Sequence, residues 1–474
     1  MALTLESAAR LLDRHGLLRE IIRDDVWTLD PHDIKGFDEP FSAITYDTRK
    51  VEPGTFLCCK GRFKAEYLQG IDERGLAAYV SENDFSDATQ APGLIVDDVR
   101  KAMALLSAEF YGRPQDQLKV VGITGSVGKT TTKEMIASVL SRDFKLYKSE
   151  GNHNNEIGLP MTVMNMPEDT ELLVAELGTN HPGEIAYLSA IAQPDYAVIT
   201  NIGIAHIEYL GSREGILREK LDILRSSLKN TVGIFNGDEP LLWNVRDKGT
   251  HKKYYFGIDN PSCDVVASGI QELDDGMRFH VSGFHHEFEL FVPALGRHMV
   301  YNALAAATVG LAMGVKPETI QNELSIFRNT GMRQKIYEKN GMTIIEDCYN
   351  AGPESTEAAL GVLASVKTSG KRIAVLGDML ELGNRSSAEH YRIGRIAAQK
   401  ADLLLTYGAH SVRTVTGAIT GGMSPKNAEH FDTHEDLVRM LKMRAGEADV
   451  ILFKGSRGMK MERVLQMFLD DHEA

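Results

Sequence analysis

The sequence predicts an α/β protein in three domains: a small α/β domain over residues 1–115, a central P-loop domain with a mostly parallel sheet over 116–330, and a Rossmann-like domain over 331–474. Three observations predict it. The chain has 474 residues, and domains of ~100–200 residues are the norm, so about three are expected. Short apolar, β-branched runs alternate with helical stretches, the pattern of parallel sheets with covered faces. Finally, Val120-Val121-Gly122-Ile123-Thr124-Gly125-Ser126-Val127-Gly128-Lys129-Thr130-Thr131-Thr132 reads as a buried strand, a glycine turn and the start of a helix to about Ser141.

That turn has the makings of an anion site. Gly125 and Gly128 let the backbone turn tightly and approach a ligand. Amide groups at the helix start point inward with the dipole's partial positive charge, and Lys129 adds a full charge. Thr130 offers a hydroxyl to Mg²⁺. The common phosphate loop has glycine five positions before Gly128, where this chain has Ile123, so the loop is the tighter Thr-Gly-x-x-Gly-Lys-Thr-Thr form. An ordinary glycine turn with a surface lysine is the rival reading, and the strand–loop–helix order weighs against it.

Composition bounds the rest. With 43% apolar and 25% charged residues the chain is ordinary globular protein. A net charge of −14 argues against nucleic acid as an electrostatic partner, but leaves small anionic substrates open. Cys58 and Cys59 are adjacent, and Cys263 and Cys348 are isolated, so neither a disulfide framework nor metal-ligand spacing emerges. A cytoplasmic location is the natural expectation. Residues 1–23 read as a charged amphipathic helix rather than a signal peptide. No apolar run approaches the ~20 residues needed to span a membrane, so no membrane insertion is expected.

In the N-terminal domain, a strand at 42–46 precedes the polar Asp47-Thr48-Arg49-Lys50, Pro53-Gly54 marks a turn, and 55–59 is a second strand. Arg49, Lys60, Arg62 and Lys64 could together hold a diphosphate, a task that suits the planar arginine fork. A solvated basic patch is an equal alternative. A strand at 93–96 and a helix at 99–111 complete the domain, and Gly112-Arg113-Pro114 is the expected linker.

In the central domain, Gly151-Asn152-His153-Asn154-Asn155-Glu156-Ile157-Gly158-Leu159-Pro160 is too polar for a core element and reads as a hydrogen-bonding loop. Glu176 ends a buried strand, where open α/β sheets bind ligands. Beside a phosphate loop it is a natural Mg²⁺ ligand; a solvent-facing glutamate is the alternative. The strand at 196–200 leads into a loop carrying His206, whose neighbours favour function over a structural role. Lys220, in a helix over 213–228, reads by itself as a solvated lysine. Asn302 lies on a small-residue helix after Gly296 and could read a base edge.

The third domain has strands at 342–346, 372–376, 403–406 and 450–453, each ending in a polar or glycine-rich loop. It lacks a glycine-rich dinucleotide fingerprint and is not expected to hold its own NAD.

These segments carry a resemblance to the Mur ligases over essentially the whole chain. Thr124-Gly125-Ser126-Val127-Gly128-Lys129-Thr130-Thr131 resembles the family's tight phosphate loop, and residues 151–160 its asparagine loop. Glu176-Leu177-Gly178-Thr179-Asn180 with Gly183-Glu184-Ile185, and Asp347-Cys348-Tyr349-Asn350-Ala351 with Leu376-Gly377-Asp378-Met379-Leu380-Glu381-Leu382-Gly383, are similar to its dipeptide-adding members. The N-terminal domain is instead similar to that of lysine-adding members, in Tyr46-Asp47-Thr48-Arg49-Lys50-Val51 and in Cys59-Lys60-Gly61 with Phe63-Lys64-Ala65-Glu66-Tyr67-Leu68. Two departures stand out. The family's Asp-Ser-Arg is Asp47-Thr48-Arg49 here, and its Gly-x-His-Asn is Gly296-Arg297-His298-Met299.

The resemblance implies ATP-driven ligation of a carboxylate to an amine through an acyl phosphate, joining UDP-MurNAc-tripeptide to D-Ala-D-Ala. By the resemblance, Gly125, Ser126, Val127, Gly128, Lys129, Thr130 and Thr131 hold the ATP phosphates. Thr130 and Glu176 bind one Mg²⁺, and His206 and Lys220 serve a second, with Lys220 as a carbamate. Asn302 meets adenine, Arg333 the phosphates and Asp347 the ribose. Asp47, Thr48 and Arg49 face the UDP-sugar; Asn154 and Asn155 belong to the substrate site, and Tyr349, Asn350 and Ser355 lie near the dipeptide. A monomer is expected. Three alternatives stay open: an amino-acid-adding Mur ligase using UDP-MurNAc-dipeptide, a folylpolyglutamate-synthase-like ligase, and a non-catalytic nucleotide-binding scaffold.

Overall fold

The computed structural model describes residues 3–23, 26–28, 30–31, 39–110, 118–167, 169–225 and 230–470. The expected linker Gly112-Arg113-Pro114, the 115/116 boundary and the end of the expected 213–228 helix lie outside the described residues.

Three sheets fall one within each expected domain. The first holds β1 (Leu18–Arg23), β2 (Val26–Thr28), β3 (Ala43–Thr45), β4 (Thr55–Cys59), β5 (Leu76–Ser81) and β6 (Gly93–Val96), in the order β2-β1-β6-β5-β4-β3. The expected single helix over 1–23 is therefore corrected: it is a helix, Leu5–Arg14, followed by β1. Gly16, at φ 65°, turns the chain out of the helix. Ile21 and Ile22 then pack into different apolar clusters, as successive residues do only on the two faces of a strand. The cluster beneath this sheet includes Met161 and Met164 of the central domain.

The second sheet has nine strands: β7 (Lys119–Thr124), β8 (Leu146–Lys148), β9 (Leu172–Glu176), β10 (Tyr196–Ile199), β11 (Val232–Asn236), β12 (Lys253–Gly257), β13 (Val265–Leu273), β14 (Gly276–Gly283) and β15 (His286–Val292). Their order is β15-β14-β13-β12-β11-β10-β7-β9-β8. Pairing is parallel from β8 to β13, and β13-β14-β15 form an antiparallel meander. Because β7 lies between β9 and β10, the chain reverses its winding direction there. The crevice beyond the C-terminal ends of these strands is the expected place for a ligand. The small-residue helix Arg297–Ala312 packs beside helix Lys129–Leu140 on one face.

The third sheet holds β16 (Lys335–Lys339), β17 (Met342–Asp347), β18 (Arg372–Gly377), β19 (Leu403–Tyr407), β20 (Ala428–Phe431) and β21 (Val450–Lys454), in the order β16-β17-β21-β18-β19-β20. Only β16 is antiparallel to its neighbour. One apolar cluster runs on from Ile204 and Ile207 of the central domain to Val362, Met379 and Leu382 of this one, so the two domains share buried surface.

Candidate active site

The phosphate loop joins β7 to helix Lys129–Leu140. Gly125 has φ 151°, and a Cβ there would lie 1.9 Å from Thr200 Oγ1; Gly128 has φ 85°, and its Cβ would lie 2.8 Å from Asn302 Oδ1. Both positions therefore need glycine. The amides of Ser126 and Val127 donate to Asn201 Oδ1 at 3.0 and 2.9 Å. Thr132 N–H is the first in the helix to find a backbone acceptor, Gly128 O at 2.9 Å. The amides of Gly128, Lys129, Thr130 and Thr131 have none among the described residues, which leaves a ready anion cradle. Lys129 Nζ donates to Gly125 O at 2.9 Å. Burial lowers its basicity, Glu176 opposes the shift and Arg333 adds to it, so Arg333 acts on the loop from the third domain.

Glu176, only 2% exposed, closes the next side. Its Oε2 accepts from Thr130 Oγ1 at 2.7 Å and its Oε1 from Asn154 Nδ2 at 2.8 Å. Its amide donates to Ser149 Oγ at 3.2 Å, and the buried Lys133 holds Ser149 O at 2.5 Å. Asn155 works differently: its Oδ1 accepts from Ile157 and Gly158 amides and shapes the start of helix Gly158–Met164.

Lys220 is 2% exposed, and its amine has no hydrogen bond or ion pair among the described residues, which overturns its reading as a solvated lysine. Burial and the charge of Lys129 push it well below the ordinary lysine range, against the pull of Glu219. Glu219 itself is committed elsewhere, accepting from Gly183 and Ile185 amides at 2.7 and 2.8 Å at the start of helix Glu184–Ala192. His206, in the left-handed region at φ 59°, meets the third domain: its Nδ1 lies 2.5 Å from Glu381 Oε2. His206, and more weakly His181, hold the Glu381 carboxyl below its ordinary range, against the effect of burial. A second carboxylate, Glu354, reaches the same loop and accepts from Ile204 N–H at 2.9 Å.

In the third domain the Arg333 guanidinium lies 3.9 Å above the Tyr349 ring. Asp347 pairs with the buried Lys454 at 2.6 Å, and Lys454 also donates to Asn350 O at 3.0 Å. Ser355 is spent locally: its hydroxyl accepts from Gly352 N–H at 3.0 Å and donates to Gly352 O at 3.1 Å, bracing helix Pro353–Ser365. Side chains pack closely against the C-terminal ends of β18 and β19. A Cβ on Gly408 would lie 2.5 Å from Asp378 Cγ, and one on Gly377 3.0 Å from Met461 Sδ.

In the N-terminal domain Arg49 grips Asp47 through two 2.8 Å bonds, and the Asp47 carboxyl falls to about 2, chiefly through that pairing. Arg74 braces the turn by donating to Thr48 O at 2.8 Å and Arg49 O at 2.6 Å. Thr45, Tyr46 and Asp47 face His153 and Asn165 of the central domain across a cleft of about 370 Å³. The four cations expected at a diphosphate do not converge by contact: Arg49 holds Asp47, Lys60 Nζ sits 4.0 Å over the Tyr46 ring, and Arg62 and Lys64 are exposed.

Sequence reasoning missed Asn201, Glu219, Lys133, Lys454 and Arg74 as site-building residues. Asn201 and Lys454 carried a signal, since Lys454 ends a parallel strand and Asn201 stands two residues beyond another. The others act through contacts between residues distant in the chain.

The Mur ligase middle domain matches residues 123–310, and the Mur ligase glutamate ligase domain matches 332–457. The chain is 39% identical over 434 residues to the UDP-N-acetylmuramoyl-tripeptide–D-alanyl-D-alanine ligase of Bacillus subtilis, covering 90% of this chain and 93% of that protein. Among solved structures it is similar to MurF from Acinetobacter baumannii, with a TM-score of 0.85 and 29% identity over 98% of both chains. It is also similar to the MurF ligase of Thermotoga maritima in complex with ADP, with a TM-score of 0.79 and 28% identity over 91% of this chain and 98% of that one. With its loop geometry, its three sheets and these matches along its length, the chain belongs to the Mur ligase family.

Proposed function

We propose that this chain joins the terminal carboxylate of UDP-MurNAc-tripeptide to the amine of D-Ala-D-Ala, splitting ATP to ADP and phosphate. The observation that carries the reaction is the cradle of four amides beside Lys129 with no acceptor among the described residues, closed by the Thr130–Glu176 pair. The substrates follow from the named relative, which aligns over nine-tenths of this chain.

A carboxylate is a poor electrophile, so its oxygen first takes the γ-phosphoryl group of ATP. The amine then attacks the acyl carbon and phosphate leaves. The cradle and Lys129 hold the β- and γ-phosphates, positioning and charge stabilisation being most of the catalysis in phosphoryl transfer. Asn201 keeps the Ser126–Val127 peptides in register. Arg333 adds positive charge from the third domain, Asp347 faces the ribose and Asn302 the adenine. Asp47, which lines the interdomain cleft, faces the UDP-sugar with Thr48 and Arg49 beside it, and Tyr349 and Asn350 lie toward the dipeptide. Ser355 is not assigned to substrate.

Mg²⁺ fits the donors present. Thr130 and Glu176 are hard oxygen ligands, and His206 with Lys220 would serve a second ion. As an ammonium Lys220 repels a cation; as a carbamate it supplies oxygens. Carbamate forms from the neutral amine, which burial favours here. When bound, the metal neutralises charge on the transferring phosphoryl group.

Phosphate release is measured with ATP, Mg²⁺ and UDP-MurNAc-tripeptide, with D-Ala-D-Ala added or withheld. Dipeptide-dependent release with a pentapeptide product by mass is expected. Silence there, with turnover of UDP-MurNAc-dipeptide and lysine, would replace this reading with the amino-acid-adding one. ATP binding without turnover on either set would leave a nucleotide-binding scaffold.

A further inference from the structure

We propose that Glu381 is a positioning residue delivered across the domain boundary: its carboxylate fixes the His206 imidazole so that Nε2 is the nitrogen offered to the active site. The inference rests on the ligase reading in one respect, the assignment of His206 to metal.

The contact is built from both sides. His206 and Glu381 are both non-glycine residues in the left-handed region, at φ 59° and 63°. Such backbone is strained for a residue with a side chain and persists where the surroundings impose it. Here they do. Met379 N–H donates to the buried His390 Nε2 at 3.0 Å, Leu380 N–H to Ser456 Oγ at 2.9 Å, and Ser456 N–H to Asp378 O at 3.0 Å. The Glu381 loop is thus pinned to the third sheet. On the other side Glu208 N–H reaches Glu381 O at 3.5 Å, and a Cβ on Gly383 would lie 3.3 Å from the Glu208 side chain. Backbone seats on backbone, and the carboxylate is set against one ring nitrogen.

His206 Nδ1 lies 2.5 Å from Glu381 Oε2 without an aligned N–H···O bond. A nitrogen lone pair that close to a carboxylate oxygen would repel it, so Nδ1 carries the proton. In the neutral ring the lone pair then sits on Nε2. A carboxylate behind a ligating imidazole fixes its tautomer and raises its basicity, and losing such a partner typically costs roughly 10–100-fold in metal affinity or activity. Because Glu381 comes from the third domain, seating of that domain and metal binding at His206 reinforce each other reciprocally.

Two readouts test this on the full chain. ¹⁵N spectra of the histidine rings, with His206 assigned by its loss in His206→Gln, should show Nδ1–H in the native protein. Glu381→Ala should shift the population toward Nε2–H, and Glu381→Gln, which keeps an acceptor oxygen, should retain Nδ1–H. Mn²⁺ titration with ADP, followed by electron paramagnetic resonance, should find one of two ions weakened roughly tenfold or more in Glu381→Ala and the other intact. Unchanged tautomer and unchanged affinities would overturn the proposal. So would equal loss of both ions and ADP, which marks general damage, or a native protein that binds a single ion. The tautomer reads Glu381 directly and dipeptide-dependent phosphate release reads the ligase reaction, so failure of one is distinguishable from failure of the other.

Discussion

Lys220 sits on a charged helix whose local sequence offers no reason to bury it, yet its amine lies inside the protein with no partner among the described residues. An isolated buried ammonium is costly, and the relief is neutralisation or a change of chemical identity. The carbamate proposed above would provide the second. Lys220→Ala should lose nearly all ligase turnover, and short carboxylic acids added to the assay should restore part of it by entering the vacated space. Absence of any rescue would count against the carbamate. Glu176 is the opposite case: its strand-end position marked it in the sequence, and it is buried there with Thr130 and Asn154 as partners.

At the scale of elements, two helices separate structure from chemistry. Ser355 braces the start of helix Pro353–Ser365 with both hydrogen-bonding capacities of its hydroxyl. Ser355→Ala should cost about 1 kcal/mol of stability and leave KM for the dipeptide unchanged; a raised KM would return it to the substrate site. Helix Ser386–Lys400 carries His390, whose buried ring is less basic than usual, chiefly through desolvation. Its folded pKa lies below the ordinary 6.5. Below that pH the unfolded chain takes up a proton that the folded chain refuses, so stability falls as pH drops; above it this group contributes no slope. The slope from one proton is at most about 1.4 kcal/mol per pH unit. Denaturant unfolding between pH 7 and 5 should show a shallower decline for His390→Gln than for the native protein.

At the scale of the molecule, the central domain that carries the phosphate loop shares apolar clusters with both of its neighbours. Met161 and Met164 of the central domain complete the core of the N-terminal domain, so that domain is packed rather than tethered. Met161→Ala should destabilise the protein by about 2–5 kcal/mol and loosen the cleft beside Asp47. Raised KM for the UDP-sugar substrate, with ADP affinity retained, is the expected signature. A change confined to ADP would contradict it.

Much of this was legible in the chain itself. The phosphate loop, the strand ending in Glu176, the small-residue helix and four of the six third-domain strands (β17, β18, β19 and β21) are local patterns, written in glycine positions and apolar periodicity, and the alternation of elements established the fold class. The split of residues 1–23 and the β13-β14-β15 meander were not seen, because a short amphipathic run satisfies helix and strand periodicities alike. Only the tertiary structure decided which residues meet. The placing of β7 between β9 and β10 brings Thr130 to Glu176 and Asn201 to Ser126. The third domain sets Glu381 against His206 and Glu354 against Ile204, and the packing hides Lys220. These contacts join residues up to 175 positions apart (Glu381 and His206); local periodicity carries no information about such pairings, which follow from sheet order and the burial of apolar surface between domains.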